Sequence, residues 1–372
     1  MDGGVLVVGG GIAGLGLARA LTLRGVPCSL VDRAPMSTAT GVGLNLPGNA
    51  VRALAALGLA DQVVDRGVRV RRREYRNGSG RLLFAVDEEG FWGGPSVCLP
   101  RGDLLDVLRA GTAEVPTRWH TGVAGVEQVP GGARVRLESG ATEEYGFVVG
   151  ADGVHSAVRP AVVHGGTRPS LMTESSWRFN APNPGVDCWT VWSGRRGTIL
   201  LIPVAPGLVY GYASATSGGG ASTDPQWLAV TFATFPEPVR AVVASVLRDG
   251  GPLHHSPVEE VRCERWSRGR VALIGDAAHA TAPVWAQGAA LALEDGLVLA
   301  DLLDSRPEWA GAGAEFEELR RPRVAGVQAA TDQMSRVARL PGRLRDLLAP
   351  TIGPRAYRAA YGPLREPGRD VA

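Results

Sequence analysis

The sequence contains no lysine, and each of its 39 basic residues is an arginine. Lysine forms the Schiff bases of covalent catalysis, binds phosphate in the P-loop and serves lysine-dependent halogenation. The absence of lysine excludes all three chemistries. Every positive charge must instead be carried by a guanidinium group, which stays protonated in proteins and binds through several N–H groups at once.

Cysteine is also scarce, because the chain has only Cys28, Cys98, Cys188 and Cys263. No two of them have the spacing of metal ligands, so we expect no metal site. The chain has no basic residue before its first apolar run, which argues against a signal peptide. We therefore expect buried free thiols and a cytoplasmic location.

The chain has little net charge and no long membrane-like helix pattern. Its formal charge is +2, with 45% apolar and 20% charged residues over a length of 372. This composition predicts a folded chain large enough for two cores, with no field that would attract nucleic acid. The uncharged stretch 197–216 contains Pro203 and Pro206, so we interpret it as two strands around a turn and expect no membrane span.

A glycine-rich turn follows the first predicted strand. Residues 5–8 are continuously apolar, residues 9–14 read Gly-Gly-Gly-Ile-Ala-Gly, and helical spacing of apolar residues continues to Leu23. A second apolar strand, 28–31, leads into Asp32, which can accept hydrogen bonds from ribose hydroxyls. This succession is typical of a dinucleotide-binding βαβ unit.

Each residue of that turn has a physical role. Gly9 permits the tight turn, Gly11 lets the backbone approach a pyrophosphate, and Gly14 lets helix and sheet pack closely. The amides of Ile12 and Ala13 lie at the predicted helix start, where free N–H groups and the helix dipole attract phosphate. The unit alone does not distinguish FAD from NAD.

Two further motifs decide between these cofactors. Residues 150–159 read Gly-Ala-Asp-Gly-Val-His-Ser-Ala-Val-Arg, and residues 275–283 read Gly-Asp-Ala-Ala-His-Ala-Thr-Ala-Pro. With the glycine turn, their order and spacing closely resemble the group A flavoprotein monooxygenases, the family of para-hydroxybenzoate hydroxylase. The resemblance extends from Val5 to about Val327, and the three motifs together are specific where one alone is not.

The resemblance implies that FAD is the cofactor and that particular residues bind it. Asp276 would hydrogen-bond the ribityl chain, and residues 283–290 would lie beside the isoalloxazine ring, where a helix start stabilises negative charge on the reduced flavin. Arg101 would lie near the phosphates, and Arg33 and Val123 near the adenosine. The full implied set is Gly9, Gly11, Ile12, Ala13, Gly14, Asp32, Arg33, Gly43 on a loop near the ring, Arg101, Val123, Asp152, Arg159, Asp276, Pro283, Gly288, Ala289 and Ala290.

The expected fold class is α/β, with a Rossmann-like FAD-binding domain, an inserted antiparallel-sheet substrate domain and C-terminal helices. The FAD-binding domain is expected to be discontinuous because alternating strand patterns interrupt it twice. The expected boundaries are 1–72, 96–167 and 262–335 for the FAD-binding domain, 73–95 and 168–261 for the substrate domain, and 336–372 for a helical tail.

The predicted sheet domain is rich in aromatic residues but carries no motif. We select Arg178 as an anchor for an anionic or phenolate oxygen, and interpret Trp192, Tyr210, Tyr212 and Trp285 as candidate pocket residues. No catalytic side chain is assigned. The adjacent His254 and His255 are interpreted as a solvated loop pair rather than an acid and base.

The favoured hypothesis is a monooxygenase in which transiently bound NADPH or NADH reduces the flavin. A C4a-hydroperoxyflavin would then hydroxylate or epoxidise an electron-rich aromatic or polycyclic small molecule, with O2 as co-substrate, in secondary metabolism. The chain would act as a monomer or homodimer.

Two alternatives stay open. The family often has Gly-x-Gly-x-Asn near the ring, where this chain has Ala286, Gly288 and Ala290. The first alternative is therefore an FAD-dependent oxidase, dehydrogenase or cyclase without oxygen insertion. The second is a non-catalytic flavin-binding partner protein.

Overall fold

The secondary structure alternates helices with the strands of three sheets. The computed structural model describes residues 2–36, 42–163, 167–216, 220, 222–250, 252–338 and 340–366. The strands are β1 (Asp2–Val8), β2 (Cys28–Val31), β3 (Gly43–Leu46), β4 (Val68–Arg69), β5 (Arg72–Asn77), β6 (Leu82–Asp87), β7 (Val97–Pro100), β8 (Thr117–Arg118), β9 (Val123–Val129), β10 (Gly132–Leu137), β11 (Thr142–Gly150), β12 (Ser170–Pro182), β13 (Trp189–Ser193), β14 (Gly197–Ala205), β15 (Leu208–Ala215), β16 (Leu253–Glu260), β17 (Ser267–Arg268) and β18 (Val271–Leu273). The helices are α1 (Ile12–Leu23), α2 (Gly48–Ala56), α3 (Ala60–Arg66), α4 (Glu88–Trp92), α5 (Arg101–Ala110), α6 (Arg159–Val162), α7 (Gln226–Phe232), α8 (Glu237–Asp249), α9 (Asp276–His279), α10 (Gly288–Ser305), α11 (Ala312–Ala338) and α12 (Gly342–Tyr361).

A largely parallel sheet brings the three sequence motifs to one edge. Its order is β17-β18-β11-β1-β2-β8, and the predicted β9–β10 hairpin extends it beside β11. The continuously apolar β1 lies between parallel neighbours, as such runs do in sheets covered on both faces. Val8 pairs with Gly150, and Gly150 pairs with Leu273. The segments that follow β1, β11 and β18 therefore meet at the carboxyl end of the sheet.

Helices α1 and α10 pack in parallel, backbone against backbone. A Cβ atom on Gly16 would lie 2.8 Å from the Leu293 side chain, and one on Gly296 would lie 3.0 Å from the Leu17 nitrogen. The contact positions advance together along both helices, so the helices run in the same direction. Both therefore begin at the same edge of the parallel sheet.

The second sheet has the order β16-β12-β15-β14-β13-β5-β6. Its strands are antiparallel except where β13 pairs in parallel with β5. The expectation of a purely antiparallel sheet is wrong at this one join. The chain passes through much of the first sheet between β5 and β13, so no hairpin turn forces the two strands to run in opposite directions. The division of the chain at the expected domain boundaries stays a prediction.

The two faces of the second sheet pack against different elements. One face is covered by α7 and α8, which the sequence analysis did not predict, and it carries Trp177, Phe179 and Trp192. The opposite face carries Trp189 and Tyr210. Trp192 is 4% exposed beneath the helices, so its assignment to the substrate pocket is wrong. Strand alternation places it on the face opposite Tyr210.

Two long helices follow α10. Helix α11 runs from Ala312 to Ala338 and contacts β17 of the first sheet. Helix α12 packs against β6, where a Cβ atom on Gly353 would lie 2.3 Å from the Phe84 ring. The C-terminal helices therefore contact both the first and the second sheet. Within the described residues, no helix combines the length and the apolarity needed to cross a bilayer.

The position of Trp192 leads to a stability prediction. We expect Trp192→Ala to lower the free energy of unfolding by about 3–5 kcal/mol, because it leaves a cavity under α7 and α8. Urea unfolding measures this value. The control is Leu347→Ala, since Leu347 is 74% exposed and should change stability by less than about 0.5 kcal/mol. A Trp192→Ala protein as stable as the wild type would contradict this placement.

Candidate functional site

A cleft opens where the segments after β1, β2 and β11 meet. Its volume is about 320 Å³. Of the predicted residues, the cleft is lined by Gly9, Gly11, Asp32, Arg33, Val123 and Asp152. The sequence analysis missed several others that also line it, namely Ala34, Thr121, Gly122, Glu138, Ala151, Gly153, His155 and Ala157. Most of these lie beside predicted residues at strand ends, so the rule that sites form at the carboxyl ends of parallel strands could have found them.

The glycine turn leaves the start of α1 open. Gly9 has a φ of 113°, which favours glycine, and a Cβ atom on Gly14 would lie only 1.8 Å from the Gly9 oxygen. No atom lies within 4 Å of the position a Cβ atom on Gly11 would take. Gly11 caps α1 without a side-chain hydrogen bond. The first amides of α1, including those of Ile12 and Ala13, are therefore available to an anion.

The carboxylate of Asp32 is fixed by backbone amides. Its Oδ2 accepts a hydrogen bond from the Gly10 nitrogen at 2.5 Å, and its Oδ1 accepts one from the Ala34 nitrogen at 2.7 Å. Each carboxylate oxygen has a further lone pair. Asp32 is thus oriented by the turn and can still accept hydrogen bonds from a diol.

Asp152 lies at the opposite wall of the same cleft. Its Oδ2 accepts hydrogen bonds from the nitrogens of Ala157 and Val158 at 2.7 and 3.2 Å. Its Oδ1 is buried and has no partner within the described part of the chain. Burial raises the pKa of Asp152, although hydrogen bonds from Ser156 and the backbone oppose the shift.

Arg159 joins two motifs and does not line the cleft. The side chain is buried, and it donates from Nε to the Ala277 oxygen at 2.9 Å and from Nη2 to the Val154 oxygen at 2.8 Å. The guanidinium group of Arg159 is thus hydrogen-bonded to backbone carbonyl oxygens. The prediction that Arg159 binds a cofactor directly is therefore corrected: Arg159 holds the segment after β11 against the segment after β18.

Asp276 and Arg101 approach each other from distant parts of the sequence. Asp276 begins α9 and its side chain is exposed. Desolvation by the surrounding protein nevertheless raises the pKa of Asp276, while the charges of His279 and Arg101 act to lower it. Burial lowers the pKa of Arg101, opposed by the charge of Asp276. A Cβ atom on Gly275 would lie 3.1 Å from the Ala13 side chain. An acid and a guanidinium therefore stand beside the start of α1.

A tight turn connects this region to α10. It consists of the 3-10 turn Pro283–Trp285, Ala286 with a φ of 52°, and Gln287. A Cβ atom on Gly288 would lie 3.9 Å from the Asp276 Oδ1 atom. The amides of Gly288, Ala289 and Ala290 form the start of α10 and have no partner within the helix. The turn thus presents a second helix start close to Asp276.

Asp295 of α10 fixes the segment from Gly275 to His279. It accepts hydrogen bonds from the Gly275 nitrogen at 2.9 Å and from Arg320 Nε at 2.9 Å, and its Oδ2 lies 2.7 Å from His279 Nε2. Burial alone would raise the pKa of Asp295, but the charges of His279 and Arg320 hold it at about 2. The neighbouring Glu294 accepts a hydrogen bond from Arg320 at 2.9 Å. The adjacent acids Glu294 and Asp295 in an otherwise apolar stretch of sequence are the pattern that could have predicted this network.

Three candidate substrate residues share one face of the second sheet. Arg178 donates to the Ser256 hydroxyl at 2.5 Å, and its guanidinium lies 5.5 Å from the ring centre of Tyr212. Burial raises the pKa of both Tyr210 and Tyr212, and the Arg178 charge opposes the shift. A Cβ atom on Gly43 would lie 2.3 Å from Tyr210.

Two other sequence expectations differ from the structure, and a third stays a prediction. Gly43 was expected on a loop but begins β3, where its missing side chain lets β3 approach β15. Trp285 is 6% exposed and packs against the Tyr361 ring of α12, and its place in a substrate pocket stays a prediction. His254 and His255 lie in β16, not in a loop, because β16 pairs with β12. His255 Nε2 lies 3.1 Å from the Ser175 hydroxyl.

The low pKa of Asp295 leads to a prediction about acid stability. A carboxyl whose pKa is lowered by folding stabilises the protein at pH values above its pKa in the unfolded state. This contribution is lost as the pH falls through its pKa in the folded state. We therefore expect the free energy of unfolding of the wild type to fall between about pH 4 and pH 2. Asp295→Asn should be less stable at pH 7 by about 3–5 kcal/mol. Its free energy of unfolding should, however, fall less than that of the wild type between about pH 4 and pH 2.

Urea unfolding at several pH values tests this difference. Asp301→Asn is the matched control, because Asp301 is 66% exposed and pairs only at the surface with Arg24. The Asp301 variant should follow the wild-type pH profile. Equal acid sensitivity of the wild type and Asp295→Asn would show that Asp295 does not carry the effect.

Comparison with known proteins identifies the family of this chain. The family described as FAD binding domain matches residues 2–327. The chain is 34% identical over 366 residues to the 3-amino-4-hydroxybenzoate 2-monooxygenase of Streptomyces cremeus, covering 91% of this chain and 88% of that protein. It is 35% identical over 334 residues to the 2-heptyl-3-hydroxy-4(1H)-quinolone synthase of Pseudomonas aeruginosa, covering 86% and 85%.

Solved structures share the fold. Klebsiella pneumoniae HpxO, solved with FAD and uric acid, superposes with a TM-score of 0.82 at 24% identity, over 99% of this chain and 94% of that one. The tetrameric 2-methyl-3-hydroxypyridine-5-carboxylic acid oxygenase superposes with a TM-score of 0.81 at 25% identity, over 99% and 98%. With its three motifs gathered at the carboxyl end of one sheet, the chain belongs to the FAD-binding family of group A flavoprotein monooxygenases and is a flavin-dependent monooxygenase.

Proposed function

We propose that NADPH or NADH reduces this enzyme and that it then transfers one oxygen atom from O2 to an electron-rich aromatic or polycyclic small molecule. The product would be a hydroxylated or epoxidised compound of secondary metabolism. The observation that carries the proposal is the approach of two helix starts: a Cβ atom on Gly275 would lie 3.1 Å from Ala13 of α1 and 3.2 Å from Ala292 of α10. The first suits a pyrophosphate and the second a ring that becomes negatively charged on reduction.

The residues of the cleft, together with Asp276 and Arg101 beyond it, fit FAD from end to end. The first amides of α1 would hold the pyrophosphate, and Arg33 and Val123 would flank the adenosine, with Asp32 accepting from its ribose. Asp276, next to Arg101, would accept from the ribityl hydroxyls. When bound and reduced, FAD supplies the activation of O2.

The start of α10 would face the ring. The amides of Gly288, Ala289 and Ala290 can donate to the ring edge that becomes negatively charged. Ala290 is fully buried in α10, so the substitution of the family's asparagine leaves the backbone donor in place. The departure at position 290 therefore leaves in place the backbone donor on which the proposal relies.

The substrate would lie between the ring and the face that carries Arg178, Tyr210 and Tyr212. A chain of contacts links this face to the turn before α10. The Arg73 guanidinium lies 5.0 Å from the ring centre of Trp189, which is on the same face. Arg73 also donates to the Tyr361 hydroxyl, which in turn donates to the Trp285 backbone oxygen. Arg178 would neutralise a carboxylate or phenolate. The names of the Streptomyces and Pseudomonas relatives contain an aminohydroxybenzoate and a hydroxyquinolone. We therefore favour rings that carry oxygen or nitrogen substituents.

We also propose that the chain acts as a monomer or homodimer in the cytoplasm, with the second sheet as its substrate domain.

The position of Gly11 leads to a prediction about cofactor affinity. Because a Cβ atom there would meet no protein atom within 4 Å, Gly11→Ala should fold normally. It should nevertheless weaken FAD binding by roughly tenfold or more, because the methyl group would obstruct the pyrophosphate. Gly94→Ala is the control, since Gly94 also has no neighbour within 4 Å and lies away from the glycine turn. Equal FAD affinity of both variants, measured by fluorescence titration, would place the pyrophosphate elsewhere.

Oxygen transfer is tested with labelled gas. Purified enzyme with FAD is screened for substrate-stimulated oxidation of NADPH and NADH, using aminohydroxybenzoates, hydroxyquinolones and polycyclic phenols. Under ¹⁸O₂ we expect the product to carry one heavy oxygen atom, and under H₂¹⁸O none. A product without label from ¹⁸O₂, formed while all consumed O2 appears as hydrogen peroxide, would support the oxidase alternative.

A further inference from the structure

A buried cluster of charged and phenolic side chains joins three distant segments. It contains Arg73 of β5, Glu88 of α4, and Tyr357 and Tyr361 of α12, each 2% exposed or less. These residues belong to none of the three sequence motifs. The cluster therefore needs a role other than direct cofactor contact.

Glu88 is the acceptor at the centre of the cluster. Its Oε1 accepts hydrogen bonds from Arg73 Nη2 at 2.6 Å, Trp92 Nε1 at 3.0 Å and the Ser96 hydroxyl at 3.1 Å. The Tyr357 hydroxyl donates to Oε2. A buried ion pair persists only when such additional hydrogen bonds satisfy it. Glu88 thus fixes the direction of Arg73.

Arg73 in turn directs Tyr361 toward the turn before α10. The Tyr361 hydroxyl accepts from Arg73 Nη1 at 3.1 Å and donates to the backbone oxygen of Trp285 at 2.6 Å. The two rings also meet edge to face, with centres 5.4 Å apart. Burial raises the pKa of Tyr361 to about 12, against the opposing charge of Arg73. The phenol therefore keeps its proton and serves as a donor at neutral pH.

The turn has a physical need for this donor. Ala286, which follows Trp285, has a φ of 52°, a conformation that costs energy for a non-glycine residue and persists where its surroundings enforce it. On its other side, Gln287 accepts a hydrogen bond from Asn49 at 2.9 Å. Ala286 is thus held between two hydrogen bonds, one of them from α12.

We propose that Tyr361 is a positioning residue for the flavin ring. Through the Trp285 carbonyl it fixes the turn from Pro283 to Gln287, and so sets where the ring stands against the start of α10. This inference rests on the proposed position of FAD. The matched family region ends at residue 327, so α12 completes the cofactor site from outside that region.

Trp285 gains a second function from this arrangement. Its indole Nε1 is buried and has no hydrogen-bond partner within the described ranges. A donor in that condition can serve an acceptor atom of a bound ligand. Because Tyr361 holds the Trp285 carbonyl and packs against its ring, it also fixes the direction of this N–H group.

The test compares Tyr361→Phe with Tyr357→Phe. Each variant keeps its ring and loses one buried hydroxyl on α12, so both should fold and unfold at similarly lowered temperatures. Only the Tyr361 hydroxyl bonds the turn. We expect Tyr361→Phe to raise the dissociation constant of FAD by roughly three- to tenfold and to shift the visible absorbance bands of bound flavin. Tyr357→Phe loses only the bond to Glu88 Oε2, while Arg73, Trp92 and Ser96 still bond Oε1, so it should bind FAD and absorb as the wild type does.

The outcomes separate this inference from the proposed function. Wild-type protein that does not bind FAD would overturn both. If the wild type binds FAD but Tyr361→Phe shows the same affinity and spectrum, only the role of Tyr361 is wrong. If Tyr357→Phe changes affinity and spectrum as much as Tyr361→Phe does, the effect is general loosening of α12 and the positioning role is also overturned.

Discussion

The close parallel packing of α1 and α10 is the constraint on which the site depends. Gly16 and Gly296 let the two backbones approach until no further side chain fits between them. Since the helices run in the same direction, their amino-terminal ends lie at the same edge of the parallel sheet. Two sets of free amides and two favourable dipole ends then lie at one end of the sheet. Asp32 lines the cleft at the start of α1, and Asp276 lies beside the start of α10.

The site is supported by arginines that act through several bonds at once. Arg320 bonds both Asp295 and Glu294 beneath the turn, Arg159 bonds carbonyls of two motif segments, and Arg73 bonds Glu88 and Tyr361. A lysine ammonium is a compact point charge and lacks the planar fork that spans two partners. A chain without lysine can therefore build these buried networks, and they hold the segments that the parallel sheet brings together.

Local sequence motifs predicted many of the candidate site residues, but few of the residues that hold the site segments in place. The residues 9–14, Asp32 and Asp276 are recognisable because their spacing is fixed by a turn or a helix start. By contrast, Tyr361 and Arg73 are 288 residues apart and meet only through tertiary packing, so no local pattern marks them. Strand alternation showed that Trp189 and Trp192 lie on opposite faces of the second sheet. It could not show which face α7 and α8 cover. The prediction for Trp192 was wrong because these helices cover its face.

If the starts of α1 and α10 bind one cofactor, the protein recognises both halves of FAD. An equilibrium titration of flavin-free protein with FAD and, separately, with FMN, which lacks the adenylate half, tests this recognition. We expect one FAD per chain and FMN binding weaker by roughly 100-fold, a loss of about 2.7 kcal/mol when the glycine turn and Asp32 have no adenylate to hold. Equal affinity for FMN and FAD, or no binding of FAD, would contradict it.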